Sequence, residues 1–284
     1  MHIVRTVEEL RLWSRSEHKA GRTVALVPTM GALHAGHASL IRAAAASCQS
    51  VAVSIFVNPT QFGPNEDYDQ YPRSLEADCA LAEAAGATVV FAPSVSELYP
   101  AGPNTPAETF VDVGSLSSKL DGASRPGHFR GVATVVTKLI LAAEPDRAFF
   151  GQKDAAQVAV LRRVARDLRL ATEIAVCPIV READGLALSS RNAYLSPEER
   201  AQALVLNHTV RAIESLFANG ERNAATLIAA ARNVFATEPD ARIDYIVLVD
   251  WATLDPVETA APGNLFAVAA SIGSTRLIDN AILA

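Results

Sequence analysis

The sequence predicts an α/β protein with a doubly wound parallel sheet, followed by a second, smaller α+β domain. Short apolar runs alternate with longer helical patterns over the first 180 residues. Strand–helix–strand alternation of this kind is typical of a parallel sheet. The pattern changes after about Leu195, where two long helical patterns precede three candidate strands. We therefore expect one domain over residues 1–180 and a smaller one over residues 181–284.

The elements of the first domain follow from hydrophobic patterning. Buried strands are expected where short apolar runs occur, at Val24–Thr29, Val51–Asn58, Ala87–Pro93, Arg147–Phe150 and Glu173–Val180. Helices are expected where Ala, Leu and Glu are enriched, at Ala38–Ala46, Ser74–Ala85 and Ala155–Leu168. Ligands of such sheets bind beyond the carboxyl ends of the strands. Polar segments fall at several of those ends.

The second domain begins with a readable helix start. Ser196 is a suitable cap, and Pro197 takes the first helical position. Helical patterns then cover Pro197–Ala218 and Ala224–Ala236, and candidate strands lie at Ile243–Val249, Leu265–Ala270 and near Thr275–Ile278. This order predicts an α+β arrangement.

Composition narrows the functional classes. Half of the 284 residues are hydrophobic, which excludes a disordered or fibrous chain. The net charge is −6 and no Lys/Arg block occurs, so we expect no nucleic-acid and no anionic-membrane partner.

The three cysteines, Cys48, Cys79 and Cys177, are widely spaced, which argues against a zinc site or a disulfide framework. No apolar run spans a bilayer and no signal-peptide pattern opens the chain, so a cytoplasmic location is expected.

The first candidate site is PTMGALHAGH, directly after the first strand. Gly31 and Gly36 allow the backbone to approach a ligand closely. A helix beginning near His37 would direct its N–H groups at a phosphate, and His34 and His37 would flank the same point. A tight turn with two solvated histidines is one alternative, and a metal site is a less favoured one. The strand–HxGH–helix context favours the phosphate site.

Four further segments carry polar groups in loops or at strand ends. Amides that could hold a small polar ligand occur in FVNPTQFG, anion-binding side chains in SRPGHFRG, a lysine suited to phosphate in GQKDAAQ, and hydroxyl and guanidinium donors in VREADGLALSSRN. Taken singly, each segment could also be a solvated turn, a helix cap or a linker.

The segments together resemble one known family. No Walker-type GxxxxGK[ST] occurs, so a nucleotide would use the HxGH turn. That turn resembles those of the HxGH nucleotidyltransferases and the class I aminoacyl-tRNA synthetases, which cleave ATP between the α and β phosphates. PTMGALHAGH, FVNPTQFG, RPGHFRG, GQKD and LSSRN in one chain resemble the pantothenate synthetase (pantoate–β-alanine ligase) family from about Val27 to Pro197.

The resemblance implies a fold, a reaction and partners. The fold would be a Rossmann-like N-terminal domain with a smaller C-terminal lid. The enzyme would join (R)-pantoate to β-alanine through pantoyl adenylate, giving pantothenate, AMP and pyrophosphate in coenzyme A biosynthesis. ATP would be a substrate, Mg²⁺ a cofactor, and the protein a cytoplasmic homodimer. We also expect the loop 185–192 or the C-terminal domain to close over the reacting groups, because a mixed anhydride hydrolyses readily.

The resemblance also implies residue roles. The catalytic residues would be His34, His37 as proton donor, and Lys153. The ATP-binding residues would be Met30, Gly31, Ala32, Leu33, His34, Ala35, Gly36, His37, Gly151, Gln152, Lys153, Asp154, Val180, Leu188, Ser189, Ser190 and Arg191. Gln61 would hold pantoate and neighbour β-alanine, Gln157 would hold pantoate, and Asn58, Tyr71 and Arg125 would line the pocket. Asp78 would contact the metal.

Some positions depart from the family pattern. Gln152 stands where Glu is common, Ala156 where a Gln is common, and Thr60 where Met is frequent. Two other functions remain open on the sequence alone: a nucleotidyltransferase that moves AMP onto a phosphorylated acceptor, and a non-catalytic adenine-nucleotide sensor. The presence of His34, His37 and Lys153 together argues against the sensor.

Overall fold

The computed structural model describes residues 1–63 and 68–284, so Asp67, which follows the FVNPTQFG segment in the sequence, lies outside the described residues. These residues form two compact units. The first unit comprises Met1–Gly151 and Val160–Cys177, and the second comprises Gln152–Ala159 and Pro178–Ala284. Residues 152–159 thus group with the second unit although they lie within the first predicted domain. The division into domains 1–180 and 181–284 stays a prediction.

The first unit is built on a parallel sheet. Its elements, in chain order, are β1 (His2–Val4), α1 (Val7–Lys19), β2 (Val24–Thr29), α2 (Ala35–Ser47), β3 (Ser50–Ile55), α3 (Leu75–Ala85), β4 (Val89–Phe91), α4 (Val95–Leu98), α5 (Asp121–Ser124), α6 (His128–Ala143), β5 (Arg147–Gly151), α7 (Ala155–Asp167), of which residues 155–159 belong to the second unit, and β6 (Glu173–Cys177). The strand order is β1-β4-β3-β2-β5-β6, and each neighbouring pair of these strands is parallel. The predicted doubly wound parallel sheet is therefore confirmed.

A ligand can bind at the middle of this sheet, where the strand order reverses. Residues Val24 to Val27 of β2 are fully buried, as expected for a strand covered on both faces. Strand order reverses between β2 and β5, and a doubly wound sheet binds its ligand at such a reversal. The HxGH segment starts where β2 ends, which places it at this point.

Several elements differ from their predicted bounds. β3 ends at Ile55 and leaves Asn58 in a loop, and β6 ends at Cys177 because Pro178 has no N–H to continue the ladder. α2 begins at Ala35, earlier than predicted, because His34 caps it. Neither α1 nor α6 was predicted. The start of α6 was missed because SRPGHFRG has the glycines, proline and arginines of a loop.

The second unit has the predicted α+β arrangement. α8 (Pro197–Ala218) and α9 (Ala224–Phe235) precede an antiparallel sheet of β7 (Arg242–Val249), β8 (Leu265–Ile272) and β9 (Thr275–Ile282), with β8 in the centre. Phe217, Leu227 and Phe266 lie in its hydrophobic core. Within the described parts of the chain, no helix combines the length and the apolar character needed to cross a membrane.

Candidate active site

The HxGH turn begins with a glycine that no other residue could replace without strain. Gly31 has φ +87°, and a Cβ there would lie 2.9 Å from an oxygen of Asp78. The hydroxyl of Thr29 accepts a hydrogen bond from the Gly31 N–H at 3.2 Å and donates to the Ser54 carbonyl at 2.6 Å. The end of β2, β3 and the turn are therefore joined by one side chain.

A buried carboxylate holds the next part of the turn. Asp78, on α3, is 4% exposed. Its two oxygens accept hydrogen bonds from the Ala32 N–H at 3.0 Å and the Leu33 N–H at 2.7 Å. The family resemblance suggests Asp78 as a metal contact. Among the described residues, no group of three or more His, Cys, Asp or Glu side chains is arranged to hold a metal ion.

The two histidines cap the helix that follows. The Gly36 N–H donates to Nδ1 of His34 at 3.1 Å, and the His34 N–H donates to Nδ1 of His37 at 3.3 Å. The ring centroids lie 4.1 Å apart. Because both Nδ1 atoms accept, the neutral rings carry their proton on Nε2. The predicted pair is thus brought together at the N-terminus of α2, where the helix dipole favours an anion.

Gln61 is oriented by its neighbour Asn58, which is 1% exposed. Nδ2 of Asn58 donates to the Gly131 carbonyl at 3.2 Å and to Oε1 of Gln61 at 3.1 Å. Nε2 of Gln61 therefore points the other way, and it lies 3.0 Å from the Met30 sulfur. The structure brings these three predicted residues together and gives Gln61 the geometry of a hydrogen-bond donor.

Tyr99 completes this network, and no motif in the sequence pointed to it. The Tyr99 hydroxyl donates to Oδ1 of Asn58 at 2.8 Å and lies 3.1 Å from the Thr60 hydroxyl. Burial raises the pKa of Tyr99 to about 12, so the phenol stays protonated and can donate. The Lys138 ammonium lies 4.2 Å from the centre of the Tyr99 ring and pairs with Glu108 at 2.6 Å.

The SRPGHFRG segment fixes the main chain of Gln61. Arg125 Nη1 lies 3.1 Å from Nε2 of His128, and Nδ1 of His128 lies 2.9 Å from the Gln61 carbonyl. Since a guanidinium can only donate, His128 accepts at Nε2 and donates from Nδ1. His128 thus joins the predicted residue Arg125 at this site.

Tyr71, which was also predicted to line the pocket, lies edge-on to Phe62, with ring centroids 6.0 Å apart.

The predicted phosphate-binding lysine lies in the second unit. Gln152–Asp154 forms a single 3-10 turn after β5, and α7 follows it and carries Gln157. Nζ of Lys153 lies 3.8 Å from Asp154, and the lysine side chain is 21% exposed. The side-chain amide of Asn280 donates to the main-chain carbonyls of Gln152 at 3.1 Å and Lys153 at 2.9 Å. The sequence did not indicate Asn280.

The last predicted segment is a hairpin followed by a 3-10 turn. The Leu188 N–H donates to the Val180 carbonyl at 2.9 Å, which closes the hairpin. Ser189 caps the turn Ser190–Tyr194 by accepting from the Arg191 N–H at 3.3 Å, and Ser190 and Arg191 are exposed. The donors predicted for the triphosphate are therefore consecutive residues on a surface turn.

Comparison with known proteins identifies the family. The family model for pantoate-beta-alanine ligase matches residues 2–282. The pantothenate synthetase of Acidobacterium capsulatum is 61% identical over 262 residues, which are 92% of this chain and 86% of that protein. The crystal structure of pantothenate synthetase from Thermus thermophilus has a TM-score of 0.91 at 45% identity and covers 99% of each chain.

A third similar protein was crystallised with ligands. The pantoate-beta-alanine ligase from Francisella tularensis, complexed with beta-gamma ATP and beta-alanine, is 33% identical, with a TM-score of 0.77 over 99% of this chain and 97% of that one. The resemblance and the enzyme class predicted from the sequence are therefore confirmed, and the chain belongs to the pantoate–β-alanine ligase family.

Proposed function

We propose that this chain condenses pantoate with β-alanine through a pantoyl adenylate. The observation that carries the proposal is the pair of imidazoles at the N-terminus of α2, 4.1 Å apart and both with Nδ1 accepting from the main chain. This pair can donate two hydrogen bonds to phosphate oxygens. The beta-gamma ATP and beta-alanine bound by the Francisella relative support the same substrates here.

The first step is a displacement at phosphorus. A carboxylate oxygen of pantoate attacks the α-phosphorus of ATP, and the bond from that phosphorus to the bridging oxygen breaks. Pyrophosphate leaves with negative charge that His34, His37 and Lys153 stabilise. Such reactions depend mainly on positioning and on charge stabilisation. The nucleotide is held by main-chain and side-chain donors of residues 30–37, 151–154, 180 and 188–191.

The second step makes the amide. The β-alanine amine attacks the acyl carbon, and AMP leaves with the oxygen that came from the pantoate carboxylate. The nitrogen then loses a proton to solvent. No enzyme nucleophile takes part in either step.

Pantoate is held by amides. Nε2 of Gln61 donates to an oxygen of pantoate, because its own Oε1 already accepts from Asn58. Gln157 supplies a second amide, and Tyr71 and Arg125 line the pocket. Asn58, almost completely buried, acts on Gln61 rather than on the substrate.

We propose that Mg²⁺ arrives with ATP. Magnesium usually keeps several waters and binds substrate phosphates rather than an all-protein cage. Both oxygens of Asp78 accept main-chain N–H bonds, so Asp78 orients the HxGH turn, and its contact with the metal stays a prediction. When bound, the ion would neutralise phosphate charge.

The proposal also includes a homodimer, a cytoplasmic location and a C-terminal domain that acts as a lid. These rest on the resemblance to the family. Light scattering after gel filtration tests the dimer directly, since one chain has a mass of 30.1 kDa.

Isotope exchange between pyrophosphate and ATP tests the first step. We expect exchange that depends on pantoate and does not need β-alanine. In protein that makes pantothenate, exchange that appears only after β-alanine is added would contradict the adenylate. A nucleotidyltransferase would instead consume ATP with a phosphorylated acceptor and release no AMP.

A further inference from the structure

The turn that carries Lys153 is anchored to a strand by one buried amide. Asn280 lies within β9, pairs with Ala267 of β8, and is 3% exposed. Its Nδ2 donates to the carbonyls of Gln152 at 3.1 Å and Lys153 at 2.9 Å, while its Oδ1 accepts from Nε2 of Gln152 at 3.2 Å. All polar atoms of the Asn280 side chain thus act on two consecutive residues of the turn.

Only an amide satisfies this arrangement. The two carbonyl oxygens are obligate acceptors, so they need the two N–H groups of Nδ2. A carboxylate of the same shape would bring an oxygen against two carbonyls, and a buried polar group without a partner is costly. The side-chain orientation of Asn280 is therefore fixed by the main chain that it holds.

The residue before Asn280 in β9 is held by an ion pair. Asp279 is 2% exposed, and its carboxylate accepts from both terminal nitrogens of Arg181, at 2.6 and 2.9 Å. Arg181 also donates to the Gly185 carbonyl at 3.1 Å. A bidentate pair with one partner almost fully buried resists separation, because the Asp279 carboxylate would be left buried without its counter-charge. Asn280 therefore projects from a fixed point of β9.

We infer that Asn280 is a positioning residue for Lys153. It sets the main chain at residues 152 and 153, and so it sets where the lysine side chain starts and which way the ammonium can reach. A misplacement of about 1 Å at a reacting charge can lower a rate by about 100-fold. The inference rests on the proposed function only for the target of Lys153, which is a phosphate of ATP.

The test is a double-mutant cycle on the pyrophosphate exchange reaction. N280A is expected to lower the exchange rate by about 10- to 100-fold, on the order expected for a misplaced charge. K153A is expected to lower it at least as much. If Asn280 acts through Lys153, adding N280A to K153A lowers the rate no further, because the group it positions is already gone.

A matched control separates this role from a loss of folding. Asn264 also accepts a main-chain hydrogen bond, from Ala261 at 2.8 Å, but it lies in the turn before β8. N264A should keep the exchange rate in both backgrounds. N280T, which suits a strand and keeps one hydroxyl donor, should show the same non-additivity and replaces N280A if that variant does not fold. Melting temperatures are measured for all of them.

The outcomes distinguish the two proposals. If N280A exchanges at the wild-type rate, or if the losses from N280A and K153A multiply, Asn280 does not position Lys153 and the inference is overturned. If K153A alone leaves exchange unchanged, the role of Lys153 in the proposed function is wrong.

Discussion

The position of His34 and His37 was predictable from the sequence, but their role as helix caps was not. Their spacing after a strand predicted a phosphate site, and the structure brings the two rings together. The sequence did not predict that His34 would cap α2, since histidine is not a usual cap. With Nδ1 of each ring accepting from the main chain, the function of each residue depends on Nε2.

Replacing His37 tests this directly. Loss of one transition-state hydrogen bond typically costs about 10²- to 10³-fold in rate, so H37A should lower pyrophosphate exchange by that factor. H37Q, whose amide nitrogen can donate at a similar reach, should recover part of the rate. H208A, an exposed histidine on α8, is the control and should exchange normally. A normal rate for H37A would rule out the assigned role.

Residue types at the amide site were predictable, but their roles were not. The sequence indicated Asn58 and Gln61 as ligand-binding amides. Only the structure shows that Asn58 is buried and directs Gln61, because its partners Tyr99 and Gly131 are distant in the chain. Contacts between residues so far apart in the chain cannot be predicted from local sequence patterns.

Between elements, the network joins the 3-10 turn Pro59–Gln61, the end of α4 and the side of α6. Gly131, on α6, allows this approach, since a Cβ there would lie 2.3 Å from the Thr60 carbonyl oxygen. The sequence placed a loop where α6 begins, so this contact could not be foreseen. Tyr99, directly after α4, then fixes Asn58 from the other side.

Tyr99→Phe should therefore affect pantoate more than ATP. It removes the buried hydrogen bond to Asn58, which contributes about 1 kcal/mol or about fivefold in an equilibrium, together with the contact to the Thr60 hydroxyl. We expect the KM for pantoate to rise by about that factor and the KM for ATP to stay unchanged. Gln61→Ala should raise the pantoate KM further. Tyr245→Phe on β7 is the control, and an equal rise in both KM values for Tyr99→Phe would show a general loss of structure instead.

At the scale of the whole molecule, the order of elements was the most predictable feature. Alternation of apolar runs and helical patterns predicted the parallel sheet, and the later strands predicted the α+β unit. The grouping of residues 152–159 with the second unit could not be predicted from the sequence. It depends on packing, including the bond from the Trp251 indole to the Ala155 carbonyl at 2.9 Å.

Stability at low pH depends on the ion pair between Glu17 of α1 and Arg22, in the loop before β2. Arg22 donates to Glu17 at 2.6 and 2.8 Å, and the Ser50 hydroxyl donates to the same carboxylate. The Arg22 and Ser50 hydrogen bonds lower the pKa of Glu17 to about 2. Because the folded-state pKa lies below the ordinary value of 4.5, the contribution is complete above pH 4.5 and is lost as the pH falls towards 2.

E17Q should therefore lower the free energy of unfolding at pH 7 and have a smaller effect at pH 3, where part of the contribution remains because folded Glu17 is still mostly ionised. Urea unfolding at both values measures this. E214Q, at an exposed position on α8, is the matched control. A difference between E17Q and the native sequence that is the same at pH 3 and pH 7 would contradict the assignment.

In the proposed reaction, a pantoate oxygen displaces pyrophosphate from the α-phosphorus. Pantoate labelled with ¹⁸O in both carboxylate positions tests it, with mass spectrometry of the products after one turnover with ATP and β-alanine. We expect one labelled oxygen in AMP and one in the amide carbonyl of pantothenate. AMP without label, formed in step with pantothenate, would contradict the claim.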